Sequence, residues 1–492
     1  MMKPHVDLLF LAGRTVRVNF LRFLVGMLLL LAGLLILPTT SANTLGSDEF
    51  AVVMEGGSIA NDVLIQPDGK IVAGGLHGNL GTRYLPTSSY FVVLRFNADG
   101  HLDSTFSDRG IARIRFADDG VGEISKVSGL ALQPDGKVVA AGYTQPTFYL
   151  RRGSGEAYRR VALVRLNPDG TLDSSFGEGG RVIEPLGLEY SGAADVALQP
   201  DGKIVISGHA DPPSAPPTGG WDSMLARFNA DGTLDTSFGT DGLVSFDAGS
   251  FDDEGSTLLI QPDGKLVVMW NPGSNADSPP LLARFTSDGS PDATFGDEGK
   301  VAVVPPEGRF RASALALQPD GKIVVSGGAS GALLTRYTAD GMLDVTFGSE
   351  GWVIANANVV PRHAASVALQ PDGRIVVTGN AGICNAYPCG PEPSRYSSFV
   401  ALARYDSDGR LDTSFRQIGY YVSAFAETGK TEDNYATAIA LQADGNVVVT
   451  GTFIDTPSDL DQFYSVGLAR VNPQGPRSYF PPPRLYLPLV GH

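Results

Sequence analysis

Short apolar runs recur down the chain, separated by breaks that carry glycine and proline. In "VALQPDGKIVISG" at 196–208, the positions on both sides of Pro-Asp-Gly are nearly continuously apolar and rich in β-branched residues. A continuous pattern of that kind marks a strand buried on both faces, whereas a half-buried strand alternates. The break between the runs is a turn with a stated chemistry. Proline sets φ at the second position, aspartate suits the third, and glycine accepts the left-handed conformation at the fourth, giving a type I turn with a bulge.

The glutamine of this motif falls at 66, 133, 199, 261, 318, 370 and 442. The spacings are 67, 66, 62, 57, 52 and 72, so a fixed unit carries loops of variable length. A second turn motif follows each copy, as in "ARFNADGTLDTSFG" at 226–239, and the seventh, "ARVNPQGPRSYF" at 469–480, is degenerate. Each unit is therefore expected to hold four strands, typified by "VALQ", "KIVISG", "LARFN" and "TLDTSF". A sheet that is apolar on both faces needs a neighbour on each side. Closing radially satisfies every unit, and the expected fold is an all-β, seven-bladed β-propeller of four-stranded antiparallel blades. A linear solenoid fits less well, because units of about 60 residues exceed an ordinary coil and nothing resembles a capping repeat.

The ordered pairing of "ALQPDGKIVVSG"-like and "ARFNADGTLDTSFG"-like segments resembles the delta-60 repeat of secreted bacterial proteins and, more distantly, NHL-type blades. The resemblance spans roughly residues 50–475. It implies a propeller and carries no shared catalytic residues.

Charges recur in register with the repeat. Arginines stand at 95, 165, 227, 284, 336, 404 and 470, and aspartates at 103, 173, 235, 292, 344 and 412. In a hairpin of this turn type, Asn229 faces Thr233 and Phe228 faces Leu234, so Arg227 faces Asp235. The expected structural ion pairs are Arg95 with Asp103, Arg165 with Asp173, Arg227 with Asp235, Arg284 with Asp292, Arg336 with Asp344, and Arg404 with Asp412. In the last repeat Ser478 takes the aspartate position. A ring of ligand-binding arginines is the competing reading, but a ligand site rarely needs one identical pair per blade.

The N-terminus adds a compartment. Lys3, Arg14, Arg17 and Arg22 precede the apolar run Phe23–Leu37, and small residues follow. This reads as a signal peptide over 1–42, with an uncleaved anchor as the alternative. The propeller would occupy 43–475 and a proline-rich tail 476–492. The tail, "PPPRLYLPLVGH", resembles the YLPLV-type tails of exported proteins from some filamentous bacteria. The expected location is thus secreted or cell surface, with no membrane association after cleavage. Export makes a disulfide between the only two cysteines, Cys384 and Cys389, the favoured reading.

A net charge of −16 argues against nucleic acid, which calls for clustered Lys and Arg. The six histidines are scattered, and no nucleophile motif, zinc spacing or phosphate loop appears. No catalytic residue, metal site or cofactor is assigned. The turn aspartates raise the question of calcium, but Asp before Gly in a tight turn needs no metal.

Function is expected on variable loops carried by the rigid array. The long loops between second and third strands hold Tyr84, Tyr149, Arg151, Arg152, Trp221, Tyr387 and Tyr464, the ligand-binding candidates. Arg159 and Arg160 extend the basic patch of Arg151 and Arg152. Exposed aromatics with arginine suit a protein or glycan partner at the cell surface. The same aromatics would equally serve to pack their own loops. The sequence thus points to a monomeric, non-enzymatic binding scaffold. A secreted polysaccharide hydrolase or lyase and a purely structural surface protein are the alternatives.

Overall fold

A computed structural model describes residues 50–54, 57–79, 88–117, 122–146, 159–186, 190–211, 221–246, 254–272, 278–306, 308, 310–328, 331–354, 363–384, 396–423, 433–458, 461–475 and 484–487. The expected signal peptide lies outside these residues, as do Tyr84, Tyr149, Arg151, Arg152, Tyr387 and Cys389. Among the described residues there is no α-helix, and hence none long and apolar enough to cross a membrane.

The third repeat shows the unit. Strands Ser191–Leu198, Ile204–Ala210, Asp222–Phe228 and Leu243–Phe246 form one antiparallel sheet in chain order. The second and third strands are buried along nearly their whole length, as their continuous apolar pattern requires. The first strand is only half-buried. It also carries a bulge between Ala193 and Asp195. Gly208 answers that bulge: a Cβ there would stand 2.0 Å from the Gly192 carbonyl oxygen. That close approach explains why the second-strand motif ends in Ser-Gly.

The fourth strand is not where the sequence pattern places it. "TLDTSF" makes a single bridge, Phe228 to Leu234, and then turns away. The ladder is completed by Leu243–Phe246 further on. The reason is local. Asp235 Oδ1 accepts both the Ser237 N–H at 3.1 Å and the Ser237 hydroxyl at 2.6 Å, and the Phe238 N–H donates to the Asp235 carbonyl at 3.0 Å. These bonds offer the backbone a turn in place of a ladder.

First strands of successive repeats pack side by side, from Ser58–Ile65 through Glu123–Leu132 and onward to Asp433–Leu441, which returns to Ser58–Ile65. One apolar cluster joins Ala60, Val63, Ile71 and Ala73 of the first repeat to Ala438, Val448, Val466 and Leu468 of the last. The array therefore closes on itself, and the fold is a β-propeller. The last sheet is completed from the other end of the chain. Phe50–Met54 pairs antiparallel with Asp461–Val471, as the missing fourth strand, and Arg484–Leu487 adds outside it in parallel.

The "LDTSFG" segment is the contact between repeats. Arg227 Nε donates to Asp235 Oδ2 at 2.7 Å, Lys203 Nζ reaches the same oxygen at 2.8 Å, and Arg227 Nη1 donates to the Ser287 carbonyl of the next repeat at 2.5 Å. The guanidinium lies over Phe238, 4.7 Å from the ring centre. The Gly239 N–H donates to the Asp288 carbonyl, also in the next repeat, at 3.0 Å. In turn, Gly289 of that repeat abuts Phe238: a Cβ there would come within 2.9 Å of the ring. Glycine is thus needed twice at this position, for its φ of +89 to +90° in the third and fourth repeats and for the neighbour's phenylalanine.

The Arg–Asp contact recurs at 2.8 Å for Arg95–Asp103, 2.7 Å for Arg165–Asp173, 2.8 Å for Arg284–Asp292, 2.9 Å for Arg336–Asp344 and 2.8 Å for Arg404–Asp412. Arg95, Arg165, Arg284 and Arg336 likewise donate to the carbonyls of Pro168, Ala230, Ala339 and Ser407 in the following repeat. Arg470 closes the circle by donating to the Ala98 carbonyl of the first repeat at 3.4 Å, with Asp444 as its acid.

Two predictions follow the charges. Removing the carboxylate in Asp235→Ala strands a buried guanidinium, and should cost about 3–5 kcal/mol in denaturant unfolding. An unchanged midpoint would refute the clasp. The second concerns pH. Burial alone would raise the Asp103 carboxyl, but hydrogen bonds from Thr105 and Lys70 and the Arg95 charge outweigh it and hold it at about 2. Its counterparts shift the same way. Such depressed acids stabilise the fold above their unfolded pKa, and that stability is lost as pH falls from about 4 towards 2. Asp62 and Asp195 do the opposite. Burial, with Asp195 repelling Asp62, pushes them up to about 7 and about 6. The folded state then binds protons that the unfolded chain releases, so stability rises as pH falls from 7 towards 4. Melting temperature should therefore peak in mildly acidic buffer and fall on either side.

Candidate functional site

The Pro-Asp-Gly turns occupy one end of the sheets, and at the other end the second strands finish and the third strands begin. At that other end, where the second and third repeats meet, several aromatic and cationic side chains converge. Tyr143 lies near the end of the second strand Val138–Pro146, and Arg159 immediately precedes the third strand Arg160–Leu166. Tyr190 immediately precedes the first strand of the third repeat, His209 lies near the end of its second strand, and Trp221 immediately precedes its third. Lys126 sits on the inner strand Glu123–Leu132, paired with Tyr143.

Arg159 joins the two repeats. It forms a parallel bridge with Tyr190, and its carbonyl accepts the Ser191 N–H at 2.8 Å. Its guanidinium lies 3.4 Å from the Tyr143 ring centre and 4.9 Å from that of Tyr190. One Nη1 bond, at 2.5 Å, goes to the Tyr190 hydroxyl. Gly192 leaves the space for it, since a Cβ there would stand 2.9 Å from Nη2. Stacking on two ring faces is a use of guanidinium that lysine could not reproduce.

Trp221 stacks on Tyr190 with centres 4.3 Å apart and planes at 7°, and His209 stacks obliquely on both at 5.4 and 5.6 Å. Burial, then the Arg159 charge, pushes His209 down to about 3, so the imidazole is neutral at pH 7. Burial and Arg159 also lower Lys126, and burial raises Tyr143. Among the described residues, the buried Arg159 Nε and His209 Nε2 have no hydrogen-bond partner.

Of the sequence candidates, the structure brings Trp221 into this cluster. Tyr464 lies on Asp461–Val471 in the last repeat, opposite Ile454, away from it. Cys384 ends the strand Ile375–Cys384, while Cys389 is outside the described residues. Sequence reasoning missed Lys126, Tyr143, Tyr190 and His209. A signal was present for two of them. The sixth residue of each second strand is Leu76, Tyr143, His209, Asn271, Gly328, Asn380 or Thr452, so rings occur there only in two adjacent repeats. No group of three or more metal-ligating side chains exists among the described residues. The Asp68 side chain accepts its own turn's Lys70 N–H at 3.1 Å, as turn chemistry alone requires.

A sequence-family model described as "Domain of unknown function (DUF5122) beta-propeller" matches residues 66–106, 153–176, 199–238, 261–295, 318–347 and 395–415. Each matched segment ends on the phenylalanine that lies beneath the clasp arginine, from Phe106 to Phe415. No curated protein matches the chain significantly. Among solved structures, a protein of unknown function from Dyadobacter fermentans is 13% identical with a TM-score of 0.41, covering 87% of this chain and 98% of that one. An ulvan lyase of polysaccharide lyase family 25 is 9% identical with a TM-score of 0.44, covering 84% and 94%. Drosophila Plexin A, solved in complex with Semaphorin 1b, is 11% identical with a TM-score of 0.40, covering 86% and 87%.

The packing around His209 yields a test. Its imidazole resonances should show no protonation step between pH 8 and 4, whereas an exposed histidine titrates near 6.5. A midpoint above 6 would mean that the ring is solvated and the cluster open.

Proposed function

We propose that the chain is a secreted or surface-attached seven-bladed β-propeller of the delta-60 type. In this reading it is a non-enzymatic scaffold that takes a protein or glycan partner on its variable-loop face. Seven copies of the turn motif, and the circuit of first strands that returns to its start, support the blade number. The charged and apolar N-terminal segment supports export. The carrying observation for binding is the Trp221–Tyr190–His209 stack with Arg159 beside it, with His209 on a strand and the other three residues each abutting one. Side chains held this way keep their geometry before a ligand arrives.

The hydrolase alternative finds less support. The two buried carboxylates with raised pKa, Asp62 and Asp195, are occupied by backbone amides. Asp62 accepts from Val63 and Leu130 at 2.7 Å, and Asp195 from Val196 at 2.7 Å and Leu258 at 2.9 Å. These bonds tie neighbouring inner strands together.

The test is binding of the purified chain to an array of glycans and cell-wall polymers. Saturable binding that falls at least about tenfold in Trp221→Ala, with melting unchanged, is expected for a stacking residue. Binding that survives the substitution would move the site elsewhere, and turnover of any polymer would overturn the non-enzymatic reading.

A further inference from the structure

The last sheet holds one strand more than a repeat needs. In each of the first six repeats the fourth strand begins sixteen residues after the clasp arginine, as Ile111 follows Arg95, Leu243 follows Arg227 and Tyr420 follows Arg404. Its first residue pairs with the residue just ahead of that arginine, as Ala226 pairs with Leu243 and Ala403 with Tyr420. In the seventh repeat the strand at nearly this interval is Arg484–Leu487, which starts fourteen residues after Arg470. It does not reach the third strand. The residue ahead of Arg470 is Ala469, which pairs with Ala51, and Arg484 lies on the far side of Ala51. The direction is also that of a fourth strand. Arg484–Leu487 runs parallel to Phe50–Met54 and therefore antiparallel to Asp461–Val471. Interval, level and direction agree, and only the place in the sheet differs, by one strand spacing of about 4.8 Å.

We propose that Arg484–Leu487 is the seventh repeat's own fourth strand, held one place out by Phe50–Met54, and that it steps into the inner place whenever the N-terminal strand leaves. Two strands thus compete for one edge. Phe50–Met54 pairs with all five residues from Val466 to Arg470. The tail in the same register would bring Pro483 opposite Arg470, where proline has no N–H to give. That deficit hands the inner place to the N-terminal strand. The outer place still serves, since a strand there covers an edge that would otherwise be open to another chain. The twelve residues between Val471 and Arg484 reach either place, because each extended residue spans about 3.3 Å. The device lets the start of the chain leave the ring without opening it. Val466 and Leu468, which share an apolar cluster with Ala60 and Val63 of the first repeat, keep a paired neighbour in both states.

Hydrogen exchange of the full chain, read peptide by peptide, tests the device. Val52→Pro breaks the N-terminal ladder. Residues 50–54 should then exchange like unpaired chain, while 466–469 and 484–487 keep at least about tenfold protection because the tail has moved inward. Among the described residues the tail strand pairs only with Phe50–Met54. Without the shift, the tail and the outward amides of the third strand would therefore lose protection together, and that joint loss would overturn the proposal. Val52→Pro with Tyr486→Pro should lower the melting temperature by more than the two single shifts combined, since each strand stands in for the other. Shifts that merely add would overturn it as well.

Pro483→Val supplies the missing N–H and leaves Phe50–Met54 untouched. It should speed exchange at 50–54 several-fold while 466–469 stay protected. If Val52→Pro fails to fold, this variant decides, and unchanged exchange at 50–54 would then sink the strand exchange.

Discussion

The structure depends on one guanidinium per repeat. In the first five repeats the clasp arginine holds its own aspartate through Nε, lies over its own phenylalanine, and spends Nη1 on a carbonyl of the next repeat. That last bond makes a local hairpin feature into an inter-repeat joint. A planar, permanently charged group with donors on several edges can do all three things together, and an ammonium cannot. The second-strand lysine adds charge to the same aspartate, so the carboxylate is shared between two cations and anchored by a hydroxyl. Sheets that are apolar on both faces supply the bulk of the adhesion. The clasp sets which edge meets which.

This arrangement frees the opposite end. The turn end is uniform because each turn must present a carbonyl and a glycine to the preceding repeat. The loop end has no such duty, and its lengths drift from repeat to repeat. The Arg159 cluster occupies the loop end, where variation does not disturb the ring. Even there His209 stands on a strand, Arg159 and Tyr190 form a bridge between repeats, and Trp221 abuts a strand, which ties them to the array. Two arginines thus serve contrasting purposes in one chain. Arg165 on the second repeat's third strand is neutralised and structural, while Arg159, just ahead of the same strand, has rings for neighbours and no acid among the described residues.

Much of the fold was legible in the sequence, because the determinants are local and repeated. Pro-Asp-Gly turns, continuous apolar runs and the Arg-to-Asp interval each act over a few residues, and seven copies average out local noise. The fourth strand was misplaced for an equally local reason. "TLDTSF" has the composition of a strand, but Asp235 bonds its own backbone two residues on and bends the chain away. The Asp235–Lys203 contact and the bond from Arg227 to Ser287 were not legible, since both join segments that only the sheets bring together.

The same division applies to the candidate site. Trp221 was visible as an aromatic in a variable loop. Tyr190, His209 and Lys126 were not, since they come from a connection between repeats, a second strand and an inner strand. The sequence by itself determined the repeating unit, its turns, its buried faces and its need for neighbours, all consequences of short-range backbone preference and apolar patterning. Only the tertiary structure decided which repeat ends meet, that Arg484–Leu487 adds outside the N-terminal strand, and where Arg159 comes to lie among rings. Those are relations between distant segments, and they exist only once the ring has closed.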